Sequence, residues 1–277
     1  MYELHQRQEL NGVVGRRSKV NRRIGAAALL GSWTLATGVA KADHDMAMSE
    51  SHDESSAVSV GVAVQAAEFD TMAYVGSYQS VTPSLGWMHG RYGASALLGL
   101  YHLDENGLSR YGMGDVMLGG HATVIERDAI EGGVAVHVML PTGSALDNLG
   151  MGHTMAMPAL WAAWHGEQLA ARASAGYARA LTSIDGGHDH GPSPLVDPMN
   201  LQELTWSAGA DLDLGHRVRV GGRALGGIPI GAGHTRVIGG ARVSWGTPRV
   251  STAVELQAGL AGDPFTVRGV VETALRF

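Results

Sequence analysis

From Thr266 to Phe277 the chain alternates with a period of two. Val267, Gly269, Val271, Thr273, Leu275 and Phe277 fall on one side, and Arg268, Val270, Glu272, Ala274 and Arg276 on the other, so charge is confined to one face. A helix of 3.6 residues per turn would mix the two sets, so the pattern specifies a strand. A strand with one apolar and one charged face, ending on an aromatic, fits a barrel with lipid outside and a polar lumen inside. Taken alone it also fits a half-buried strand of a soluble sandwich.

Repetition separates the two. The same alternation runs through Val250–Leu260, Arg236–Trp245, Arg217–Val220, Leu204–Leu214, Leu169–Tyr177, Val134–Leu140, Val116–Val124 and Ala94–Leu100. Short turns are expected near 246–248, 215–216, 165–167, 126–130 and 91–93. Longer segments, mostly rich in Gly and Pro, are expected near 261–265, 226–234, 181–202, 141–154 and 104–113. Short and long connections alternate strictly, as in barrels with short periplasmic turns and longer outer loops. Forty Gly against three Phe argue against a conventional packed core. No apolar run after the first 42 residues is long enough for a helical span. A membrane-crossing chain of this kind must close its sheet, because lipid tolerates no unpaired edge.

The sequence therefore predicts an all-β fold, a single antiparallel up-and-down barrel of about twelve strands, with ten or fourteen as the neighbouring counts. Twelve requires Ala57–Ala66 to be the first strand and 67–82 to be mostly loop; a separate strand over Tyr74–Val81 would make the number odd. Trp87, Trp161, Trp164, Trp206 and Trp245 fall in these strands, most of them near an end, where interfacial girdles place aromatics.

The N-terminus reads as an export signal. Arg16, Arg17, Lys19, Arg22 and Arg23 precede the short apolar stretch Ile24–Val39, and Ala40-Lys41-Ala42 is a small-residue cleavage site. The competing reading is a membrane anchor. The expected organisation is a signal peptide over 1–42, a periplasmic tail rich in His, Met and Asp over 43–56, and a barrel over 57–277. The whole chain carries a formal charge of −6, and every basic residue after position 42 is Arg. An acidic chain of this kind excludes nucleic acid as a partner. Outer-membrane lipid, the barrel-insertion machinery, and small solutes or metal ions are the expected partners. There is no Cys.

Two sets of residues could carry chemistry. The first is rich in His and Met: His44, Met46, Met48 and His52 in the tail; Met151, His153, Met155 and Met157 in one outer loop; His188 and His190 in another. Thioether with imidazole suits Cu(I), and imidazole with carboxylate suits Cu(II) or Zn. No spacing matches a closed structural metal site, so ion binding and plain composition both remain open. The second set points into the predicted lumen. Met117, His121, His137 and Met139 share the inner face of one hairpin, in a register that allows His121 opposite or diagonal to His137. Asp211, Asp213, Glu255 and Glu272 share the lumen with Arg217, Arg219, Arg236, Arg242 and Arg268. These charges either pair off as ladders that fill the barrel or line a wet pore. No catalytic triad stands out, and the Gly-rich stretch 221–227 lacks the strand–helix context of a phosphate loop.

One series of short motifs carries a resemblance. Gly112-Met113-Gly114-Asp115 is followed by Gly132-Gly133, then Leu140-Pro141-Thr142-Gly143, then Gly150-Met151-Gly152. The order resembles the outer-membrane family labelled as transporters of the MetA pathway of phenol degradation, over roughly residues 72–180. Its motifs are turn elements, so the resemblance implies fold and location more than substrate. The functional expectation is a passive, non-enzymatic channel for small solutes. The alternative is a plugged barrel that binds copper or zinc through its tail and loops.

Overall fold

The computed structural model describes residues 56–70, 75–181, 196, 199–262 and 265–277. Twelve strands follow one another: β1 (Ser56–Asp70), β2 (Val75–His89), β3 (Tyr92–Glu105), β4 (Leu108–Arg127), β5 (Ile130–Leu140), β6 (Met155–His165), β7 (Leu169–Ala180), β8 (Gln202–Asp213), β9 (Val218–Pro229), β10 (Arg236–Gly246), β11 (Val250–Ala261) and β12 (Val267–Arg276). Each pairs antiparallel with its sequence neighbours, and β12 closes onto β1 with Val60 opposite Leu275 and Gln65 opposite Val270. The fold is a closed all-β barrel of twelve strands, which excludes ten or fourteen.

Alternation sets the two surfaces. Val58, Val60 and Val62 of β1, Leu204 and Leu212 of β8, and Val254 and Leu256 of β11 are exposed on the outside. Gln65, Glu203, Glu255 and Gln257 on the same strands are buried inside. An apolar exterior over a polar interior inverts a soluble protein and suits a lipid surround. Trp87, Tyr92, Trp164 and Trp245 lie exposed within a few residues of the short turns, forming an aromatic rim at that end. Trp161 instead faces the lumen, because it is an even number of residues from Met155 and Met157 on β6. Phe277 is exposed and continues the ladder, its N–H donating to the Val58 carbonyl at 2.9 Å.

The structure corrects several boundaries. Residues 67–82 are strand wherever they are described, not loop: β1 runs to Asp70 and opens one residue earlier than expected, at Ser56. The supposed separate strand near Tyr74–Val81 is the first half of β2, which also carries Trp87. Pro83 hid that continuity, since proline normally breaks a ladder. Here β2 pairs with β1 through Pro83, while its ladder with β3 skips from Val81 to Ser84. The long loop expected at 104–113 is a two-residue turn, Asn106-Gly107, with φ of 50° and 84°. Both values are positive, the geometry an Asn-Gly hairpin turn supplies. Strand β9 extends to Pro229 and β11 to Ala261, shortening two further loops. Among the described residues no helix is long and apolar enough to cross a membrane.

Two apolar clusters are buried inside the barrel. One gathers Phe69, Tyr78, Tyr101, Leu103, Leu149, Val196, Ile238 and Phe265. The other gathers Met117, Met139, Met155 and Met157 with Ala178.

Candidate functional site

The inner wall is the candidate site, and it has two halves. Strands β8 to β12 carry charge. Asp211 and Asp213 of β8, Arg219 of β9, Arg236 and Arg242 of β10, Glu255 of β11, and Arg268 and Glu272 of β12 all stand on the inner face. Arg217 does not. It lies exposed in the β8–β9 turn at φ 68°, because the strand begins only at Val218. Three inner residues that the patterning had not singled out complete the set: Arg172, Glu203 and Arg223. Simple continuation by two finds them, from Asp211 through the register to β7, from Thr205 back to Glu203, and from Arg219 on to Arg223.

These charges pair. Arg223 meets Glu255 at 2.6 Å, Arg236 meets Glu203 at 2.5 Å, Arg172 meets Asp211 at 3.3 Å, Arg219 meets Asp213 at 3.5 Å, and Arg242 meets Glu272 at 3.7 Å. Three pairs reach across an intervening strand: Arg242 on β10 meets Glu272 on β12 across β11, and in the other two a glycine makes room. Glu203 on β8 reaches Arg236 on β10 over Gly227, where an added Cβ would come within 2.6 Å of the carboxylate. Arg223 on β9 reaches Glu255 on β11 over Gly240, where a Cβ would stand 2.5 Å from Glu255 Oε1. That is the work of Gly227, the last glycine of the Gly-rich stretch 221–227, and of Gly240. Beyond them, Arg268 donates to Gln257 at 2.8 Å and to the Tyr78 hydroxyl at 3.0 Å, with its guanidinium 4.2 Å over the Phe265 ring.

Strands β4 to β6 carry thioether and imidazole instead. Met117 lies opposite Met139, and Met139 opposite Met155. In the next inner row Gly119 lies opposite His137, and His137 opposite Met157. His121 pairs with Ala135, so the two histidines are diagonal. Met155 and Met157 therefore lie on the inner face of β6 rather than in an outer loop, and both are buried. Of the loop pair, His153 is buried and Met151 half-buried against the cluster. Among the described residues no three His, Asp or Glu side chains group as a metal cage. His44, Met46, Met48, His52, His188 and His190 lie outside the described residues.

A third feature explains the motif series. Between Leu98 and Leu100 the β3–β4 register shifts, giving β4 one extra residue, so that Gly114 and Asp115, both buried, stand opposite the single residue Gly99. Such a bulge re-aims side chains. The Asp115 carboxylate accepts the amides of Gly143 at 2.9 Å and Met151 at 2.7 Å. Thr142 Oγ1 accepts the Val116 amide at 2.8 Å and donates to the Gly114 carbonyl at 3.1 Å. A Cβ on Gly143 would stand 2.9 Å from the Gly114 backbone, and one on Gly150 would stand 2.6 Å from Asp115 Oδ1. Gly-Asp, Pro-Thr-Gly and Gly-x-Gly thus form one latch that folds 141–154 inward. It places Leu149, 2 % exposed, among Tyr101, Leu103, Tyr78 and Ile238, and lets Asn148 donate to Glu105 at 3.0 Å. Leu149 and its neighbours thereby occupy part of the lumen at the long-loop end. At the short-turn end Ser59, Gly61, Ser84, Ser95, Ser251 and Ala274 leave a cavity of about 120 Å³.

No family model matches this chain, and no curated protein does. Solved structures do. An outer membrane channel from Pseudomonas putida F1 superposes with a TM-score of 0.60 at 12% identity, over 82% of this chain and 97% of that one. The translocator domain of the autotransporter NalP from Neisseria meningitidis gives 0.52 at 13% identity, over 86% and 93%. The KdgM porin gives 0.50 at 8% identity, over 80% and 99%. At these identities the likeness is one of fold.

Proposed function

We propose that this chain is an outer-membrane channel for passive passage of small solutes, narrowed at its long-loop end by the latched segment 141–154. The observation that carries this reading is the inverted surface: an apolar exterior around an inner wall with six Arg–carboxylate pairs among the described residues, Arg110–Glu105 included. Lipid outside and a polar interior are the surroundings such a wall suits. The shared fold with a channel and a porin agrees, as does the resemblance of the motif series to the phenol-degradation transporters, which bears on location more than on cargo. In this reading residues 1–42 are a removed export signal, 43–56 a periplasmic tail, and the short turns face the periplasm. The chain acts by passage and not by catalysis.

Most inner guanidinium groups face a carboxylate, while Arg268 is held by Gln257 and the Tyr78 hydroxyl, so selectivity between cations and anions is expected to be weak. Liposome swelling with neutral and charged solutes of increasing size tests this. Swelling that falls with solute size and depends little on solute charge is the expected outcome. Liposomes that never swell, with any solute, contradict a channel.

A further inference from the structure

We propose that Met117, Met139 and Met155, with Met157 and His137 in the adjoining row, form a binding site for a soft monovalent cation, Cu(I) or its redox-inert counterpart Ag(I). The three methionines occupy directly opposed positions on β4, β5 and β6, and His137 stands opposite Met157 one row away. Opposed side chains on a sheet have Cβ atoms about 4.5–5.5 Å apart, well within the reach of a flexible thioether. All five side chains are buried, at 0% to 5% exposure.

Ordinary filling of the lumen does not account for this composition. Among the described residues, the other inner cluster of the same barrel is built from Phe, Tyr, Leu, Val, Ile and Ala, without Met. The large buried members of this one are all Met, with Met151, Met199 and Leu97 packed around them. Well-packed cores favour side chains with defined rotamers, and methionine specifies a core poorly. Thioether sulfur has one property those residues lack, a soft lone pair, and with imidazole it selects Cu(I) over hard divalent ions. Neither row contains a carboxylate, so Mg or Ca would find no suitable oxygen there. All five groups bind as neutral ligands, so a single positive charge carries the smallest desolvation penalty. Gly119, opposite His137, leaves the imidazole its room: a Cβ there would stand 2.9 Å from His137 Cδ2. The site lies beneath the latched loop and stands independently of the channel reading, since binding is measured whether or not the barrel conducts.

The test uses the full chain in detergent with Met46→Leu and Met48→Leu as background, removing two tail thioethers from the count. Silver titration should give about one tightly held Ag(I) per chain, and X-ray absorption should show a first shell dominated by sulfur. Adding Met139→Leu and Met157→Leu should weaken Ag(I) binding by at least the roughly tenfold that outer-shell changes alone cost at metal sites. Circular dichroism should stay unchanged, because leucine nearly matches methionine in volume. Zn(II) binding should not respond to the pair. Unchanged silver affinity in the leucine variant overturns the site. So does an oxygen- or nitrogen-only shell around silver in the background protein, a result that does not depend on the variant folding.

Discussion

The wall made by β8–β12 and the wall made by β4–β6 enclose one lumen and obey one alternation rule, yet they are held by different forces. On the first, ion pairs join strands next to one another or two apart, and two of them pass over a glycine. On the second, thioethers pack closely and the loop 141–154 is tied down through Asp115, Glu105 and the Thr142 hydroxyl. A buried ion pair adds little net stability while intact, but losing one partner strands the other charge in low dielectric. A methionine cluster is tolerant, because its side chains re-pack. The charged wall should therefore respond sharply to single changes, and the soft wall mildly.

The largest effect is expected at Glu255, whose side chain is 1% exposed against Arg223. Glu255→Ala should destabilise the barrel by about 3–5 kcal/mol, the cost of stranding a buried partner. Denaturant unfolding in lipid vesicles measures it. A loss like that of an exposed pair would mean that water reaches Arg223 freely and that the wall is not dry at that height.

Alternation made the charged wall legible. Arg219, Arg242, Glu255 and Glu272 sit at odd spacing from the apolar residues of the opposite face, so strand, face and lumen follow from period two alone. Their partners were harder to read. Which carboxylate meets which guanidinium depends on register and on the small residues between them, and Gly227 and Gly240 decide this from neighbouring strands. The soft wall was half legible. Met117, His137 and Met139 belong to strands whose alternation is clear, but Met155 and Met157 precede Pro158 at a strand start and read as loop. Pro158 stays in the ladder because its bonding partner is β5, opposite Val136, while the β6–β7 ladder skips it. The latch was legible only as a motif. Its purpose depends on a bulge at Gly114-Asp115, which turns Asp115 toward a loop 28 residues away, and no periodicity announces a bulge.

On the soft wall, Met139→Leu with Met157→Leu should cost less than about 1.5 kcal/mol per site, as volume-conserving swaps do. The same unfolding experiment checks it, and a loss rivaling Glu255→Ala would erase the distinction between the walls. The smallest effect is expected at the short-turn end of the charged wall. Asp213, with its side chain 35% exposed, meets Arg219 at 3.5 Å. Its replacement by Ala should change stability by about 0–1 kcal/mol, the range of solvent-screened pairs. That contrast with Glu255 would show the lumen growing wetter toward the short turns, where serine, glycine and alanine line the cavity.

Single-channel conductance in planar bilayers, with the unmodified chain and Asp115→Ala side by side, tests most directly whether the barrel is a channel narrowed by its latch. Removing the carboxylate frees the Gly143 and Met151 amides and releases Leu149 from the long-loop end. The account predicts discrete conductance steps for the unmodified chain and larger ones for the variant. Identical steps from both would remove the latch from the pathway, and silence from both at every voltage would contradict the channel itself.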